Sequence, residues 1–170
     1  MILEPKKIIP LLGIEHGMTV MDIGSGIGFW AKLLAERVGA SGTIIAIDNH
    51  SETITRLNND ARELGLTMIQ GIAGDIHQVT ELPIRKHSCD RILMIRMITI
   101  VEGNIMQTIQ DLAQYLKDSG QIIIIDHQSY YDDIVSAVSV SGLEMDEIPL
   151  IGERSGGHFF GMSIRRTVLD

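Results

Sequence analysis

The sequence predicts an α/β fold, a three-layer sandwich in which one mostly parallel β-sheet lies between two layers of helices. Three observations carry this. Short runs of β-branched and apolar residues alternate five times with longer amphipathic segments, the pattern of successive strand–helix units. Two of those runs, Ile92 to Ile95 and Ile122 to Ile125, are apolar without alternation, as strands covered on both faces are. Two more strands then follow with no helix between them, which brings the sheet to seven strands.

The elements read in order as follows. Glu4 to Leu12 is a short helix with Pro5 tolerated in its first turn, an apolar face of Ile8, Ile9, Leu11 and Leu12, and Gly13 at its end. Thr19, Val20, Met21 and Ile23 make the first strand. A turn carrying Gly24, Gly26 and Gly28 leads into a helix to Val38, with Leu33, Leu34, Arg37 and Val38 at three- and four-residue spacings. Thr43 to Asp48 is the second strand. Ser51 caps a helix to about Leu64, and Gly65 lies just past it. Thr67 to Gln70 is the third strand, and Gly71 to Asp75 continues as loop. Asp90 to Ile95 is the fourth strand. Asn104 and Gln107 form a capping box for a helix to about Lys117, and Asp118-Ser119-Gly120 turns into a fifth strand, Gln121 to Asp126. Ser129 and Asp132 form a second capping box, for a helix to about Ser141. Leu143 to Leu150 and His158 to Arg166 are the closing strands, joined through Gly152, Gly156 and Gly157. The 170 residues make one expected domain, with 1–17 as an N-terminal helical segment and 18–170 as the core.

Composition narrows the function. A hydrophobic fraction of 45%, a charged fraction of 21% and a mean hydropathy of +0.18 suit a largely buried sheet. The most apolar run, Ile92 to Val101, carries Arg96 and is too short to cross a membrane. The first residues lack the apolar core of a signal peptide. One cysteine, Cys89, permits no internal disulfide, and these features together point to the cytoplasm. A net charge of −8 disfavours a nucleic-acid partner, and the basic pairs Lys6-Lys7, Arg85-Lys86 and Arg165-Arg166 read as solvated surface. The six histidines show no metal-ligand spacing, so no metal is assigned. The oligomeric state is left open, a homodimer included.

The glycine turn defines the candidate ligand site. Glycines there let a ligand approach the backbone, and the helix after them directs unpaired N–H groups and a partial positive charge at the turn. That geometry suits a phosphate or a carboxylate. The dinucleotide fingerprint G-x-G-x-x-G fails, because its third glycine falls on Phe29, which disfavours a nicotinamide-dependent oxidoreductase. The run Asp22-Ile23-Gly24-Ser25-Gly26-Ile27-Gly28 instead resembles the first motif of class I S-adenosylmethionine-dependent methyltransferases. Asp48, twenty residues after Gly28, is similar to the acidic residue ending their second strand, and Gly74-Asp75 to their third motif. Leu82-Pro83 with Ser88 to Ile92, then Leu112 to Gly120, resemble the approaches to their fourth and fifth strands. Gly142-Leu143 and His158-Phe159-Phe160 resemble their closing antiparallel hairpin. The nearest pattern is the small-molecule type related to quinone-biosynthesis and arsenite methyltransferases. Three departures stand out. Asp118-Ser119 replaces the usual Pro-Gly, a change between turn-forming residues. Ile95-Arg96-Met97-Ile98 stands where amino-methylating nucleic-acid enzymes carry Asn-Pro-Pro-aromatic. The lone Cys89, at a strand start, disfavours an arsenic-type thiolate site.

The resemblance implies a Rossmann-like sheet of order 3-2-1-4-5-7-6 with strand 7 antiparallel. It implies S-adenosylmethionine over the carboxyl ends of strands 1, 2 and 4, and a methyl group passed to a small or medium-sized acceptor. The alternative is a non-catalytic S-adenosylmethionine-binding protein or a partner subunit. Within the family pattern, Gly24, Ser25, Gly26 and Gly28 cradle the cofactor, and Asp22 orders the loop and faces the ammonium. Asp48 accepts from the ribose hydroxyls, against the plainer reading of an exposed strand-end carboxylate. Asn49, Gly74, Asp75, Ile76 and Ile95 complete the cofactor set, the first four around the adenine. Phe29 and Trp30 wall the cofactor or belong to the core. The acceptor is expected past strands 4 and 5, against Arg96, Met97, His127, Tyr130 and the N-terminal helix. Arg96 suits a carboxylate or phosphate, with an ion pair to Glu102 as the alternative. His127 is the candidate base, and Arg96 and Tyr130 are the other candidate catalytic residues. Asp126-His127 also falls where metal-dependent members place ligands, but their partner acid after strand 4 is missing.

Overall fold

The computed structural model describes residues 4–101, 103–149 and 159–167. Its strands are β1 (Thr19–Ile23), β2 (Thr43–Asp48), β3 (Ile69–Ala73), β4 (Cys89–Ile95), β5 (Leu116–His127), β6 (Leu143–Ile148) and β7 (Phe159–Arg166). Its helices are α1 (Pro5–Ile8), α2 (Phe29–Val38), α3 (Ser51–Glu63), α4 (Ile98–Val101), α5 (Ile105–Ala113) and α6 (Tyr131–Ser139). The seven strands form one sheet in the order β3-β2-β1-β4-β5-β7-β6. β1 to β5 run parallel, and β7 lies antiparallel to both β5 and β6.

Side chains alternate across a strand, so the two unbroken apolar runs feed two cores. Ile92, Met94, Ile122 and Ile124 pack on one face with Leu112 of α5 and Ile134 of α6. Leu93, Ile95, Ile123 and Ile125 pack on the other with Leu34 of α2, Leu57 of α3, and Ile8, Leu12 and Ile14 of the N-terminal segment. That segment therefore covers the half of the sheet that α2 and α3 leave bare. It is one helical turn followed by a 3-10 turn, Ile9–Leu12, because Pro10 interrupts the α-helical hydrogen-bond pattern.

Several boundaries differ from the sequence reading, each for a local reason. β3 begins at Ile69 and runs through Gly71 to Ala73. The amide of Asn58 in α3 lies against this edge strand, accepting from Gly71 N–H at 2.8 Å and donating to Gly71 O at 3.1 Å. A Cβ on Gly71 would sit 2.7 Å from Asn58 Oδ1, so the glycine marks a close approach within a strand and not a turn. α5 stops at Ala113, and β5 starts at Leu116, before the expected turn. Leu116 pairs with Cys89, and the register slips before Arg91 meets Gln121. None of the three expected side-chain caps forms. His50 precedes α3 and Asn104 precedes α5 without a side-chain bond, and Gln107 bonds Asp111 at 3.0 Å. Ahead of α6 a 3-10 turn intervenes, capped by His127, which accepts from Ser129 N–H. In α2 the buried stripe is Ala31, Leu34, Ala35 and Val38, while Leu33 faces outward. Leu150, His158, Gly152, Gly156 and Gly157 lie outside the described residues.

Candidate active site

The carboxyl ends of β1, β2 and β4 and the turn after β3 enclose a cleft of about 170 Å³. Six of the expected cofactor residues line it: Gly24, Asp48, Asn49, Gly74, Asp75 and Ile76. Ile23, Ile47, His50, Met97 and Ile100 complete the wall. Asp22, Ser25, Gly26, Gly28 and Ile95 are not among the lining residues. Ile95 is turned into the core with Ile125 and Leu34, Asp22 is buried in β1, and the other three belong to the glycine turn.

In that turn Gly24, Gly26 and Gly28 all hold positive φ, at 69°, 53° and 79°. Two of them do different work. Gly26 opens on free space, with nothing within 4 Å of an added Cβ, while Gly28 is packed against Leu57, whose Cδ1 would lie 2.2 Å from one. Gly28 thus lets α3 close on the turn, and Gly26 leaves room for a ligand. Asp48 fastens the turn to β2, its Oδ2 accepting from Gly26 N–H at 2.9 Å. Oδ1 accepts from His50 N–H at 3.0 Å, with the His50 ring at the same distance. Burial pushes the Asp48 pKa up, but these hydrogen bonds and the His50 charge together hold it below its ordinary value.

Asp22 is the unusual group. It is 2% exposed, its Oδ2 has no partner among the described residues, and the same holds for Ser25 Oγ three residues on. Burial raises its pKa to about 7, against the opposing pull of the Ala31 backbone N–H, and the Asp48 charge adds to the rise. A buried carboxylate oxygen without a donor is costly, and a cation brought to it removes the cost. The turn thus suits a ligand carrying an ammonium group near Asp22 and hydroxyls near Asp48. Asp75 caps the 3-10 turn Ile76–Glu81 by accepting from His77 N–H at 2.9 Å.

Neither Phe29 nor Trp30 lines this cleft. Trp30 packs on the core with Phe29 edge-on to it, and Phe29 is exposed. Met97, expected at the acceptor, lies over the glycine turn instead, its Sδ 2.1 Å from where a Cβ on Gly24 would be. His50 and Ile100 are lining residues the sequence reading missed. His50 carries a signal, since an Asp accepting from the N–H two residues on is a common turn former. Ile100 carries none.

A second hollow, of about 260 Å³, collects Arg96, His127 and Tyr130 with Thr99, Asp126, Ser129 and Phe159. Arg96 and Thr99 face it from the same segment whose Met97 and Ile100 face the cleft. Residues 4–17 contribute nothing to its lining, because they are spent on the sheet face. Glu102, the expected partner of Arg96, is outside the described residues. Asp126 is 4% exposed and works as a strut. Its Oδ2 accepts from Ile98 N–H at 2.9 Å and its Oδ1 from His127 N–H at 2.8 Å. Cys89 is fully buried at the opposite end of β4, where burial pushes its thiol up to about 11. Among the described residues no group of three or more His, Cys, Asp or Glu is placed to hold a metal ion, and no helix is long and apolar enough to cross a membrane.

Comparison with known proteins follows the same lines. The demethylmenaquinone methyltransferase of Listeria welshimeri is 27% identical over 127 residues, which cover 71% of this chain and 50% of that protein. The chain thus spans about half the length of the curated relatives it matches first. A SAM-dependent methyltransferase from Aquifex aeolicus superposes with a TM-score of 0.80 at 20% identity, over 95% of this chain and 89% of that one. An arsenic(III) S-adenosylmethionine methyltransferase from Chlamydomonas reinhardtii superposes with a TM-score of 0.67 at 19% identity, over 90% and 63%. A family model for a methyltransferase domain matches residues 14–149, which hold six of the seven strands and every residue lining the first cleft, and the chain belongs to that family.

Proposed function

We propose that the protein binds S-adenosylmethionine in the cleft and transfers its methyl group to a small or medium-sized acceptor in the neighbouring hollow. The observation that carries this is the unpartnered carboxylate oxygen of Asp22 beneath the glycine turn, since it calls for a cation there. Gly26 leaves the turn's outer surface open, and Asp48 presents a carboxylate where ribose hydroxyls would lie. Asn49, Asp75 and Ile76 form the end of the cleft suited to the adenine. When bound, the cofactor supplies a methyl on a sulfonium. The acceptor's lone pair forms the new bond as the carbon–sulfur electron pair returns to sulfur. The protein's task is then placement and exclusion of water. Met97 and Ile100 supply apolar cover between the two hollows. His127, its Nδ1 2.9 Å from Ser129 Oγ, is positioned to receive an acceptor proton.

The test is calorimetric titration with S-adenosylhomocysteine, followed by a screen of acceptors read out by S-adenosylhomocysteine production. Asp48→Ala removes charge-assisted bonds of about 1.5–3 kcal/mol, so affinity should fall roughly tenfold to a hundredfold or more. Full affinity in that variant takes Asp48 out of the site. Tight binding with no turnover on any acceptor would favour a non-catalytic cofactor-binding protein.

A further inference from the structure

Arg96 is held in a backbone conformation that its residue type does not favour. Its φ is +60°, in the left-handed region, where of the described residues only His87 and Arg96 stand among the non-glycines. A glycine would take that corner without strain, and an arginine is there instead, its N–H tied to Ile125 O at 2.8 Å. Strain of this kind persists where the surroundings over-determine it, and it collects at ligand sites. The corner puts Arg96 on the wall of the second hollow and the next residue, Met97, on the wall of the cleft.

Among its described lining residues the hollow sets Arg96 against a single acid that is already engaged. Asp126 is its sole acid among the described lining residues, and both of its oxygens accept from backbone N–H groups. No described acid forms an ion pair with Arg96. In a protein of net charge −8, an exposed arginine that no described acid pairs, on a hollow whose one described carboxylate is already held by backbone N–H groups, is an uncommon arrangement. The rest of the lining is flat and hydroxylated. Phe159 stands edge-on to the His127 ring, centroids 6.0 Å apart at 76°, and Tyr130 and Ser129 border them.

We propose that the hollow receives the methyl acceptor as an anion, a small aromatic compound whose carboxylate is gripped by Arg96 while its ring lies against Phe159 and His127. The proposal rests on the reading of the neighbouring cleft as the cofactor site. It makes Arg96 the determinant of acceptor class, and it explains why the corner is not glycine.

The experiment titrates the protein, saturated with S-adenosylhomocysteine, with two matched pairs: benzoate against benzamide, and 4-hydroxybenzoate against 4-hydroxybenzamide. Each acid should bind about tenfold or more tightly than its amide. Arg96→Gly, which suits the backbone and deletes the guanidinium, should erase that preference and leave S-adenosylhomocysteine affinity unchanged. Equal binding of acid and amide, or a preference that survives in Arg96→Gly, overturns the proposal even where S-adenosylhomocysteine binds well. Failure of S-adenosylhomocysteine to bind the unmodified protein removes the cleft reading and this proposal with it.

Discussion

If Asp22 waits for a cation, its protonation should report both folding and cofactor binding. Its pKa rises from 3.8 to about 7 in the folded chain, so between those values the native state holds a proton that the unfolded state has lost. The sign follows from linkage: where the native state binds more protons, stability falls as pH rises. The contribution of Asp22 is therefore least costly below about pH 4, and the cost grows until the folded carboxyl is ionised above about pH 7. The full change is about 4 kcal/mol, at 1.36 kcal/mol for each pKa unit. Asp22→Asn keeps the shape and abolishes the titration. Urea unfolding of both proteins from pH 4 to pH 8 should show the native protein losing stability relative to the variant across that range. A ligand ammonium beside Asp22 stabilises the ionised form, so S-adenosylhomocysteine should release close to one proton on binding at pH 6 and little at pH 8. Calorimetry in two buffers of different ionisation enthalpy measures that proton. 5′-Methylthioadenosine, which lacks the amino acid portion, should release none. Parallel stability curves for the two proteins, or equal proton release by the two nucleosides, would refute the argument.

Gly26→Ala should cost the fold only the left-handed penalty, roughly 1–2 kcal/mol, yet lose most S-adenosylhomocysteine affinity by calorimetry. Gly28→Ala should lose more stability in chemical denaturation, because Leu57 is fully buried and an overpacked core adds about 1–3 kcal/mol. If the two variants unfold alike, the division of labour within the turn is wrong. Cys89, buried with its thiol pushed up to about 11, should resist iodoacetamide at pH 8 in the native protein and react on unfolding in urea. Rapid native-state alkylation, followed by mass spectrometry, would contradict its burial.

The sheet was legible because its information is short-range and redundant. Four consecutive isoleucines at Ile122–Ile125 announce a strand covered on both faces, and both cores confirm it. Boundaries were less legible where a distant element settles them. Gly71 looks like a turn residue until Asn58 is brought against it from α3, thirteen positions away. Leu116 looks like the end of a helix until Cys89 pairs with it. The missing caps teach the same lesson. The side chains of Ser51 and Asn104 offer local hydrogen bonds, but the residue before each helix is already tied down, His50 N–H by Asp48 Oδ1 and Asn104 N–H by Val101 O.

In the cleft, the residues that the sequence reading named are those whose chemistry is carried by type and position, such as Gly24, Gly74, Asp48 and Asp75. Met97 and Ile100 carry no such chemistry, and their place in the cleft depends on the path of the chain after β4. That path turns on two features without a sequence signature. One is Asp126, which looks like a candidate ligand in sequence and is in fact a strut that holds Ile98 and His127 by their backbones. The other is the left-handed corner at Arg96, where type and conformation disagree. Asp126 ties the β4–α4 turn, through Ile98 N–H, to the start of the β5–α6 turn, through His127 N–H, from within the wall of the second hollow. The two hollows therefore meet along one short segment, residues 96–100, in which Arg96 and Thr99 line one hollow, Met97 and Ile100 the other, and Ile98 is buried in the core between them. Under the proposed function, cofactor and acceptor would be read by neighbouring residues, and the acceptor half of that segment is the part that a family resemblance cannot supply.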